Sequence, residues 1–263
     1  MKLNLKNKNV LVVAASSGIG RAISEMFLEE ECNVTICSSN NEKLKIASKE
    51  IKEKLNKDVF YIKCDINNNA EIESTVKAVE NKYGTIDILV NNCGGPKPGY
   101  FDDLNDEDWE NALDQVLLSV VRFTRLVLPN MKKNNWGRIV NITSISVKQP
   151  IDNLLLSNSL RSGVTAFAKT LSNQVGQFNI TVNNVAPGLT LTGRLEELAE
   201  LRAKDSGVSK EEMLKQMASE IPLKRLASPY EIASAVVYLA SEIAGYITGQ
   251  TIVVDCGYTK PTY

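Results

Sequence analysis

Short runs of β-branched and other apolar residues alternate along the chain with longer stretches whose apolar residues recur every three or four positions. The short runs predict seven strands, at residues 10–14, 34–37, 59–64, 86–90, 138–142, 180–185 and 251–254. The longer stretches predict helices at residues 42–55, 70–83, 107–131, 154–178 and 229–241, and a first helix with the apolar stripe Ile19, Ile23, Met26 and Phe27. Strands that alternate with helices favour a parallel sheet covered on both faces. We therefore expect one α/β domain over residues 1–263, a doubly wound Rossmann-type fold around a seven-stranded parallel sheet.

Residues 191–220 interrupt this alternation between the sixth strand and the helix that should follow it. The insertion is rich in charged residues and predicts two helices, at residues 195–204 and 210–219. Open α/β sheets bind their ligands outside the carboxyl ends of the strands. A helical insertion that follows such an end is therefore predicted to be a lid over the ligand. The alternative is a helix pair that only decorates the surface.

Composition limits the classes of partner. Hydrophobic residues make up 43% of the chain and charged residues 23%, as in an ordinary soluble globular protein. The net charge is −1, so neither nucleic acid nor a membrane is expected as a partner. No apolar run approaches the roughly 20 residues that a membrane-spanning helix needs, and the Lys- and Asn-rich start does not resemble a signal peptide.

The cysteines and the lack of histidine limit the location and the chemistry. The cysteines are odd in number, scattered and without C-x-x-C spacing, at Cys32, Cys37, Cys64, Cys93 and Cys256. This pattern indicates reduced thiols of a cytoplasmic protein and no zinc or other metal site. Because the sequence has no histidine, it excludes a Ser-His-Asp triad and imidazole acid–base chemistry.

The turn between the first predicted strand and the first helix has the composition of a phosphate-binding loop. It consists of Ala14-Ala15-Ser16-Ser17-Gly18-Ile19-Gly20. Small residues and glycines let the backbone approach a pyrophosphate, and the helix start offers unpaired N–H groups and the positive end of its dipole. The residues expected to contact a dinucleotide are Ala14, Ser16, Ser17, Gly18, Ile19 and Gly20. A glycine turn kept only for packing is the alternative.

The same turn resembles the T-G-x-x-x-G-I-G motif of the short-chain dehydrogenase/reductase family, with Val13-Ala14 in place of the usual Thr-Gly. Further family motifs follow in order and at family spacing over nearly the whole chain. They are Cys64-Asp65-Ile66 after the third strand, Asn91-Asn92-Cys93-Gly94 after the fourth, Asn183-Asn184-Val185-Ala186-Pro187-Gly188 after the sixth, and the segments 222–226, 247–250 and 254–257. The resemblance implies that the acid after the third strand faces the adenine and that the segment after the sixth strand holds the nicotinamide end. The cofactor-binding residues implied by these motifs are Asp65, Ile66, Asn92, Gly94, Pro187, Gly188, Thr190 and Thr192.

The resemblance implies that the chain binds a nicotinamide dinucleotide. The residues at the end of the second strand help to distinguish NAD from NADP. NAD-binding relatives usually carry an acid there for the ribose hydroxyls, whereas NADP-binding relatives lack it and often supply an arginine. Here the place is occupied by Ser38-Ser39-Asn40-Asn41, and the nearest basic residue is Lys43. No carboxylate would repel a 2′-phosphate, and the two serine hydroxyls could bond it. We expect NADP as the cofactor, with Ser38 and Ser39 among its ligands, and NAD as the alternative.

The family's catalytic set is an asparagine, a serine, a tyrosine and a lysine, and only the serine is kept. The resemblance places Ser144 at the serine, Ser157 at the tyrosine, Arg161 at the lysine and Val116 at the asparagine position. Arg161 follows Ser157 by one helical turn and could reach a ribose or a phosphate with its donor fork, but it does not shed its proton.

A serine hydroxyl is a far weaker acid than a tyrosine phenol, so Ser157 is a poor replacement for the proton donor. Two residues of neighbouring loops are candidates for a stand-in acid. Lys148 follows Ser144 by four residues, and Tyr100 lies in the loop after the fourth strand. Exposed loop positions without a catalytic role are the alternative for both.

Three functional hypotheses remain open. The first is an NAD(P)-dependent carbonyl reductase or alcohol dehydrogenase that acts on a small molecule, because the L-S-N-x-x-R segment resembles a subgroup similar to 3-oxoacyl-acyl-carrier-protein reductases. The second is a dinucleotide-binding sensor or regulatory protein without turnover. The third is lyase or epimerase chemistry on the same fold. The lid-like insertion favours an enzyme.

The family resemblance also implies a homo-oligomer, a dimer or a tetramer built through the two long helices at residues 107–131 and 154–178. Both helices carry more apolar residues than one buried stripe requires, at Val116, Leu117, Leu118, Val120, Val121, Val164, Phe167 and Leu171. Burial of these residues within the chain's own core is the alternative.

Overall fold

The computed structural model describes residues 2–262, without the side chain of residue 205; Met1 and Tyr263, the ends of the predicted domain, lie outside the described residues. Its centre is a sheet of seven parallel strands in the order β3-β2-β1-β4-β5-β6-β7. The strands are β1 (Asn9–Val12), β2 (Asn33–Ser38), β3 (Phe60–Lys63), β4 (Ile88–Asn91), β5 (Gly137–Ile142), β6 (Ile180–Pro187) and β7 (Thr251–Val254). The predicted doubly wound parallel sheet is confirmed.

Nine α-helices surround the sheet within residues 2–262. They are α1 (Gly18–Glu29), α2 (Asn41–Leu55), α3 (Asn69–Tyr83), α4 (Asp106–Ala112), α5 (Ser119–Lys133), α6 (Leu155–Val175), α7 (Gly193–Ser206), α8 (Lys210–Ser219) and α9 (Pro229–Ala240). The insertion at residues 191–220 contains α7 and α8. In the part of the chain that the structure describes, no helix is both long enough and apolar enough to cross a membrane.

Three predicted elements differ from the observed ones. The first strand does not reach Ala14, because the chain leaves the sheet after Val12 and Ala14 adopts a left-handed conformation with φ 51°. The predicted helix at residues 107–131 is not one α-helix, because the wider π-helical turn Leu113–Leu118 separates α4 from α5. A π turn adds one residue without disturbing the apolar spacing enough to be seen in a sequence. The predicted helix at residues 154–178 ends as α6 at Val175 and continues as a 3-10 turn, Gly176–Phe178.

The core consists of two apolar layers, one on each side of the sheet. Successive side chains of a strand point to opposite faces. Val10 and Val12 of β1 accordingly join the layer beneath α1 and α9, whereas Leu11 joins the layer that contains Phe123 of α5 and Ala168 of α6. Full burial on both faces explains why these strands are nearly continuous apolar runs.

A row of asparagine side chains crosses the middle of the sheet at its carboxyl end. Asn91 of β4, Asn141 of β5 and Asn184 of β6 are paired in register and are all buried. Asn91 Nδ2 donates to Asn141 Oδ1 over 2.8 Å, and Asn141 Nδ2 donates to Asn184 Oδ1 over 2.9 Å. The row ends on β7, where Thr251 Oγ1 accepts from Asn184 Nδ2 over 3.1 Å. This amide row fixes the relative height of four strands just below the edge where ligands bind.

Candidate active site

A cleft of about 450 Å³ lies along the carboxyl ends of β1, β4, β5 and β6, within the size range of small-ligand sites. It includes the place where the chain order of the sheet reverses, between β1 and β4, which is where open α/β sheets bind ligands. The predicted site residues that line it are Ala14, Ser17, Gly18, Ile19, Asn92, Gly94, Ser144, Ser157, Arg161, Pro187, Gly188, Thr190 and Thr192. The predicted residues Ser16, Gly20, Ser38, Ser39, Asp65, Ile66 and Lys148 do not line it.

The turn before α1 has the geometry of a phosphate cradle. Gly18 opens the helix with φ 57°, and Ser17 stands at the N-cap without a side-chain hydrogen bond to the helix. The first turn contains no acidic residue, so its N–H groups and the positive dipole end remain available for an anion. These properties fit the diphosphate of a dinucleotide.

Gly20 serves packing beneath this cradle. A Cβ atom at residue 20 would lie 2.7 Å from the carbonyl oxygen of Ala14 and 2.9 Å from Asn92 Nδ2. Asn92 Nδ2 in turn donates to the carbonyl oxygen of Ala14 over 3.1 Å. The glycine therefore lets α1 approach the ends of β1 and β4, while the asparagine holds the left-handed turn at Ala14.

The end of β2 lies beside the cradle. The hydroxyl of Ser16 donates to that of Ser38 over 3.1 Å, so Ser16 joins the two loops and does not point its hydroxyl into the cleft. Ser39 is exposed. Asn40 accepts from the backbone N–H of Lys43 and thereby caps α2, and Lys43 lines the cleft. The place that would carry an acid in an NAD-binding relative therefore holds serines, with the start of α2 and the basic side chain of Lys43 just after it.

The thiol of Cys37 lies one residue before Ser38 and is fully buried. A hydrogen bond with the thiol of Cys64 and the burial itself raise the pKa of Cys37 well above its ordinary value. This thiol therefore stays neutral and adds no charge beneath the cradle.

Arg161 of α6 forms a clamp at the floor of the cleft, where the side chain is 7% exposed. One Nη donates to the carbonyl oxygens of Ile142 and Thr143 over 3.0 and 3.2 Å, and the other contacts Cys93 Sγ at 3.8 Å and the carbonyl oxygen of Gly94 at 3.4 Å. Its Nε donates to Ser157 Oγ over 3.2 Å. An arginine has five N–H donors. Each of them has a partner here, so Arg161 ties α6 to the ends of β4 and β5.

Ser144 and Ser157 line the same part of the cleft as Arg161. Ser144 stands before the 3-10 turn Ile145–Val147 and its Oγ accepts from the backbone N–H of Ser146 over 3.1 Å. Because each of the two hydroxyl oxygens already accepts a hydrogen bond, each hydroxyl proton can be donated to a ligand. Val116 lies in the π turn, is buried and adds only apolar surface beside Leu156 and Leu160.

The two candidate stand-in acids do not join this group. Lys148 is exposed at the end of the 3-10 turn and does not line the cleft. Tyr100 is 60% exposed, and its backbone is fixed by an N–H···O bond to Asp103 Oδ2. The geometry therefore supports the alternative interpretation of both as exposed loop residues.

The lining includes residues that the sequence analysis did not single out. Cys93 contacts Arg161, while Arg194, Glu197 and Leu198 reach the cleft from α7, and Leu154 precedes α6. Arg194 follows Thr192 by two residues at the start of α7, but its contact with the loop after β4 has no signal in the sequence.

Comparison with known proteins finds relatives that match nearly the whole chain. The family model described as Enoyl-(Acyl carrier protein) reductase matches residues 13–259. A 3-oxoacyl-[acyl-carrier-protein] reductase of Chlamydia muridarum is 34% identical over 253 residues, which cover 96% of this chain and 98% of the relative. An NADPH-dependent reductase of Bacillus subtilis is 31% identical over 257 residues, or 97% and 99% of the two chains.

A solved structure of L-sorbose reductase from Gluconobacter frateurii, complexed with NADPH and L-sorbose, superposes with a TM-score of 0.94 at 32% identity and covers 99% of this chain and 100% of that one. The similarity thus extends over the whole described fold. It includes the cradle, the cleft and the helical insertion, which all fall within the matched residues. The chain belongs to the short-chain dehydrogenase/reductase family of oxidoreductases.

Proposed function

We propose that the protein is an NADPH-dependent carbonyl reductase, or in the reverse direction an alcohol dehydrogenase, that acts on a small molecule such as a 3-oxoacyl thioester or a hydroxyketone. One observation carries the proposal. The free helix start at Gly18 and the hydroxyls of Ser144 and Ser157 line one continuous cleft. A dinucleotide held by its phosphates at one end would therefore bring its reactive end to hydroxyl donors at the other. The reductase names of the relatives support the same class.

The cradle, Lys43 and the loop after β6 would hold the cofactor. The N–H groups at the start of α1 favour the diphosphate, and Lys43 supports a 2′-phosphate and hence NADP rather than NAD. On the opposite side, Gly188 and Thr190 line the cleft, and the missing Cβ at Gly188 leaves room for Asp255, whose Cβ would lie 2.7 Å from it. When bound, the nicotinamide donates a hydride to a carbonyl carbon or accepts one from an alcohol.

Ser144 and Ser157 would hold the carbonyl oxygen of the substrate by donating their hydroxyl protons. The Arg161 guanidinium strengthens the donor of Ser157, because its Nε bond to Ser157 Oγ polarises the O–H group. The positive charge of Arg161 also stabilises negative charge that develops on the oxygen. Arg161 does not release a proton, so the proton reaches the product oxygen from Ser157 and is replaced from water.

The cost of losing the general acid and the gain from positioning the reactants together support an enzyme with slow turnover. The loss of a positioned general acid reduces a rate by roughly 10²–10⁴-fold. Holding the two reactants in contact provides an effective molarity on the order of 10⁵–10⁸ M. Positioning therefore exceeds the loss, and we expect turnover below that of relatives that have the tyrosine and lysine.

The helix pair α7–α8 would act as a lid. It has its own apolar contacts, among them Ala199, Met213 and Met217, and a short bridge between Thr190 and Ala227 joins the two segments that flank it. Thr192, at its start, lies so close to Gly18 that a Cβ at residue 18 would be 3.3 Å from Thr192 Cγ2. A ligand in the cradle would thus touch the base of the lid, and NADPH is expected to slow hydrogen exchange in residues 193–219.

The proposal includes a homo-oligomer in the cytoplasm. Of the apolar residues on the two long helices, Val116, Val120, Val164 and Leu171 are buried within the chain, whereas Leu117, Leu118, Val121 and Phe167 keep exposed surface. This remaining apolar surface supports association, which sedimentation equilibrium tests. The cysteines of the described residues are all free, which suits a reducing compartment.

The experiment is a titration of the purified protein with NADPH and NADH by calorimetry, followed by an NADPH-oxidation assay with acetoacetyl thioesters, hydroxyketones and diketones. Tight NADPH binding and slow turnover that Ser144→Ala reduces are the expected results. NADPH binding without turnover on the whole panel would overturn the reductase and favour a dinucleotide-binding regulatory protein. Absence of binding to either dinucleotide would overturn both.

A further inference from the structure

Two guanidinium groups line the cleft, and they differ in how their donors are used. Arg161 has a partner for each N–H and is buried. Arg194 makes one hydrogen bond within the described residues, from Nη to the carbonyl oxygen of Pro96 over 3.2 Å. Its nearest carboxylate oxygen, on Glu197, is 3.6 Å from the other Nη, which is beyond hydrogen-bonding distance. Most donors of Arg194 are therefore free for a ligand.

Arg194 lies on the side of the cleft where the substrate is expected. Its guanidinium rests against the backbone of Gly95, where a Cβ atom would be 3.2 Å from Nε. The adjacent Gly94 accepts from Arg161, which in turn bonds Ser157. Arg194 thus extends from the first turn of α7 to the loop after β4, and it lines the same cleft as the residues proposed to hold the carbonyl oxygen.

The charges of the cleft are not balanced on this side. Its charged lining residues are Lys43, Arg161, Arg194 and Glu197, which is three cations against one carboxylate. The cradle and Lys43 match the phosphates of the cofactor. Arg161 forms no ion pair within the described residues, so Arg161 and Arg194 together exceed the charge of Glu197 by one. An excess cation in the cleft favours a ligand with a negative group over a neutral one, because Glu197 alone does not balance the charges of Arg161 and Arg194.

We propose that Arg194 is a specificity-determining residue that binds an anionic group of the substrate, a carboxylate or a phosphate, and that the substrate is therefore an anionic carbonyl compound. The inference rests on the proposed reductase function and narrows its substrate class. On binding, Arg194 exchanges the carbonyl of Pro96 for the two oxygens of the anion, because a planar donor fork pairs better with a charged acceptor than with a neutral one. Glu197 competes for the same guanidinium.

The test uses short 2-oxo, 3-oxo and 4-oxo acids, each beside its methyl ester, with the full-length protein saturated with NADPH. Initial rates give kcat and KM for each pair, and calorimetry on the NADP⁺-loaded protein gives the affinity without turnover. The wild type is expected to prefer at least one acid to its ester, in KM and in affinity. Arg194→Gln should weaken binding of that acid by roughly tenfold to a hundredfold, the size expected for hydrogen bonds to a charged group. The same substitution should leave the affinity for the methyl ester unchanged.

Three further variants sharpen the test. Arg194→Lys keeps the charge but not the fork and should recover only part of the affinity for the acid. Glu197→Gln removes the competing carboxylate and should raise that affinity. Arg202→Gln removes an exposed charge from the same helix, outside the cleft, and should change neither acid nor ester binding.

The outcomes separate this inference from the proposed function. Equal binding of acids and esters, with NADPH bound and a carbonyl reduced, overturns the role of Arg194 and leaves the reductase intact. An Arg194→Gln variant that loses NADPH affinity and shows no change for the acid would assign Arg194 to the cofactor's phosphates and also overturns the inference. No NADPH binding by the wild type contradicts the proposed function itself.

Discussion

Arg161 Nε lies 3.2 Å from Ser157 Oγ, so the residues at the family's lysine and tyrosine positions are hydrogen-bonded to each other. A lysine at this place would have a flexible ammonium that can reach outward, whereas the guanidinium is held by backbone carbonyls at the ends of β4 and β5. In place of a tyrosine and a lysine that can transfer protons, this pair provides a serine hydroxyl and a guanidinium that its hydrogen bonds hold in a fixed position.

Restoring the relay should require both residues at once. Ser157→Tyr with Arg161→Lys should raise kcat by roughly 10²–10⁴-fold, because the phenol again supplies a general acid and the ammonium lowers its pKa. Arg161→Lys alone should not raise kcat and should lower the free energy of unfolding by about 1–3 kcal/mol, since carbonyl oxygens lose their donors. Steady-state kinetics and urea unfolding measure the two effects. If the double variant gains no activity while it folds and binds NADPH, the placement of Ser157 at the reacting oxygen is wrong.

The alanine in the phosphate cradle should weaken cofactor binding slightly. Ala14 has φ 51°, a conformation that disfavours any residue with a Cβ by about 1–2 kcal/mol. Ala14→Gly removes this strain and a methyl group that lines the cleft, although it also makes the unfolded chain more flexible. We expect NADPH to bind several-fold more tightly and the melting temperature to change little. Ala15→Gly, at a buried position outside the cleft, is the control and should lower stability without improving NADPH binding. Equal NADPH affinity of wild type and Ala14→Gly would contradict this account of the cradle.

The helices and strands could be predicted from the sequence because local patterns of apolar and polar residues determine them. Strands buried on both faces must be apolar runs, so all seven predicted strands differ from the observed strands by at most two residues at either end. The exact end of β1 could not be predicted, because the left-handed turn at Ala14 depends on a hydrogen bond from Asn92, which is distant in sequence. The π turn Leu113–Leu118 was missed for a similar reason, since it depends on hydrogen-bond geometry and not on polarity.

The candidate site could be predicted only where backbone motifs form it. Gly18, Asn92 and Gly188 line the cleft because each follows the carboxyl end of a strand, a place that the order of elements fixes. The full engagement of Arg161 and the free donors of Arg194 arise from side-chain contacts between distant segments. Such contacts are set by packing in three dimensions, and a single sequence contains no signal for them.

The asparagine row should contribute measurably to stability. Asn184→Ala removes the acceptor of Asn141 Nδ2 and leaves that buried amide without its partner. We expect the free energy of unfolding to fall by about 1–3 kcal/mol, measured by urea denaturation. Asn69→Ala removes an exposed asparagine that bonds only Glu73 on the surface, and its effect should stay within about 0.5 kcal/mol. Similar values for the two variants would mean that the buried row adds nothing beyond ordinary surface polarity.

Lys43 should discriminate between the two dinucleotides. Lys43→Gln removes a positive charge at the β2 end of the cleft, so the dissociation constant for NADPH should rise by roughly tenfold while that for NADH hardly changes. A higher salt concentration should reduce the difference in NADPH affinity between wild type and Lys43→Gln, because the interaction of Lys43 with the 2′-phosphate would be partly exposed to solvent. Lys45→Gln, which removes an exposed charge that pairs with Glu42 on the same helix, is the matched control. Equal loss for NADPH and NADH in Lys43→Gln would show that Lys43 does not sense the 2′-phosphate.

Glu25 should make stability depend on pH in the acid range. Burial alone would raise the pKa of this carboxyl, but hydrogen bonds from Lys54, Tyr230 and Arg21 outweigh it and hold the pKa below its usual 4.5. A carboxyl whose pKa is lower in the folded than in the unfolded chain stabilises the fold above the unfolded pKa, and this stabilisation is lost as pH falls through the folded value. Glu25→Gln should therefore lower the melting temperature clearly at pH 7, and the gap to the wild type should narrow below about pH 4. A gap that stays constant between neutral and acid pH would mean that packing of the side chain, and not its charge, joins α1 to α2 and α9 at this point.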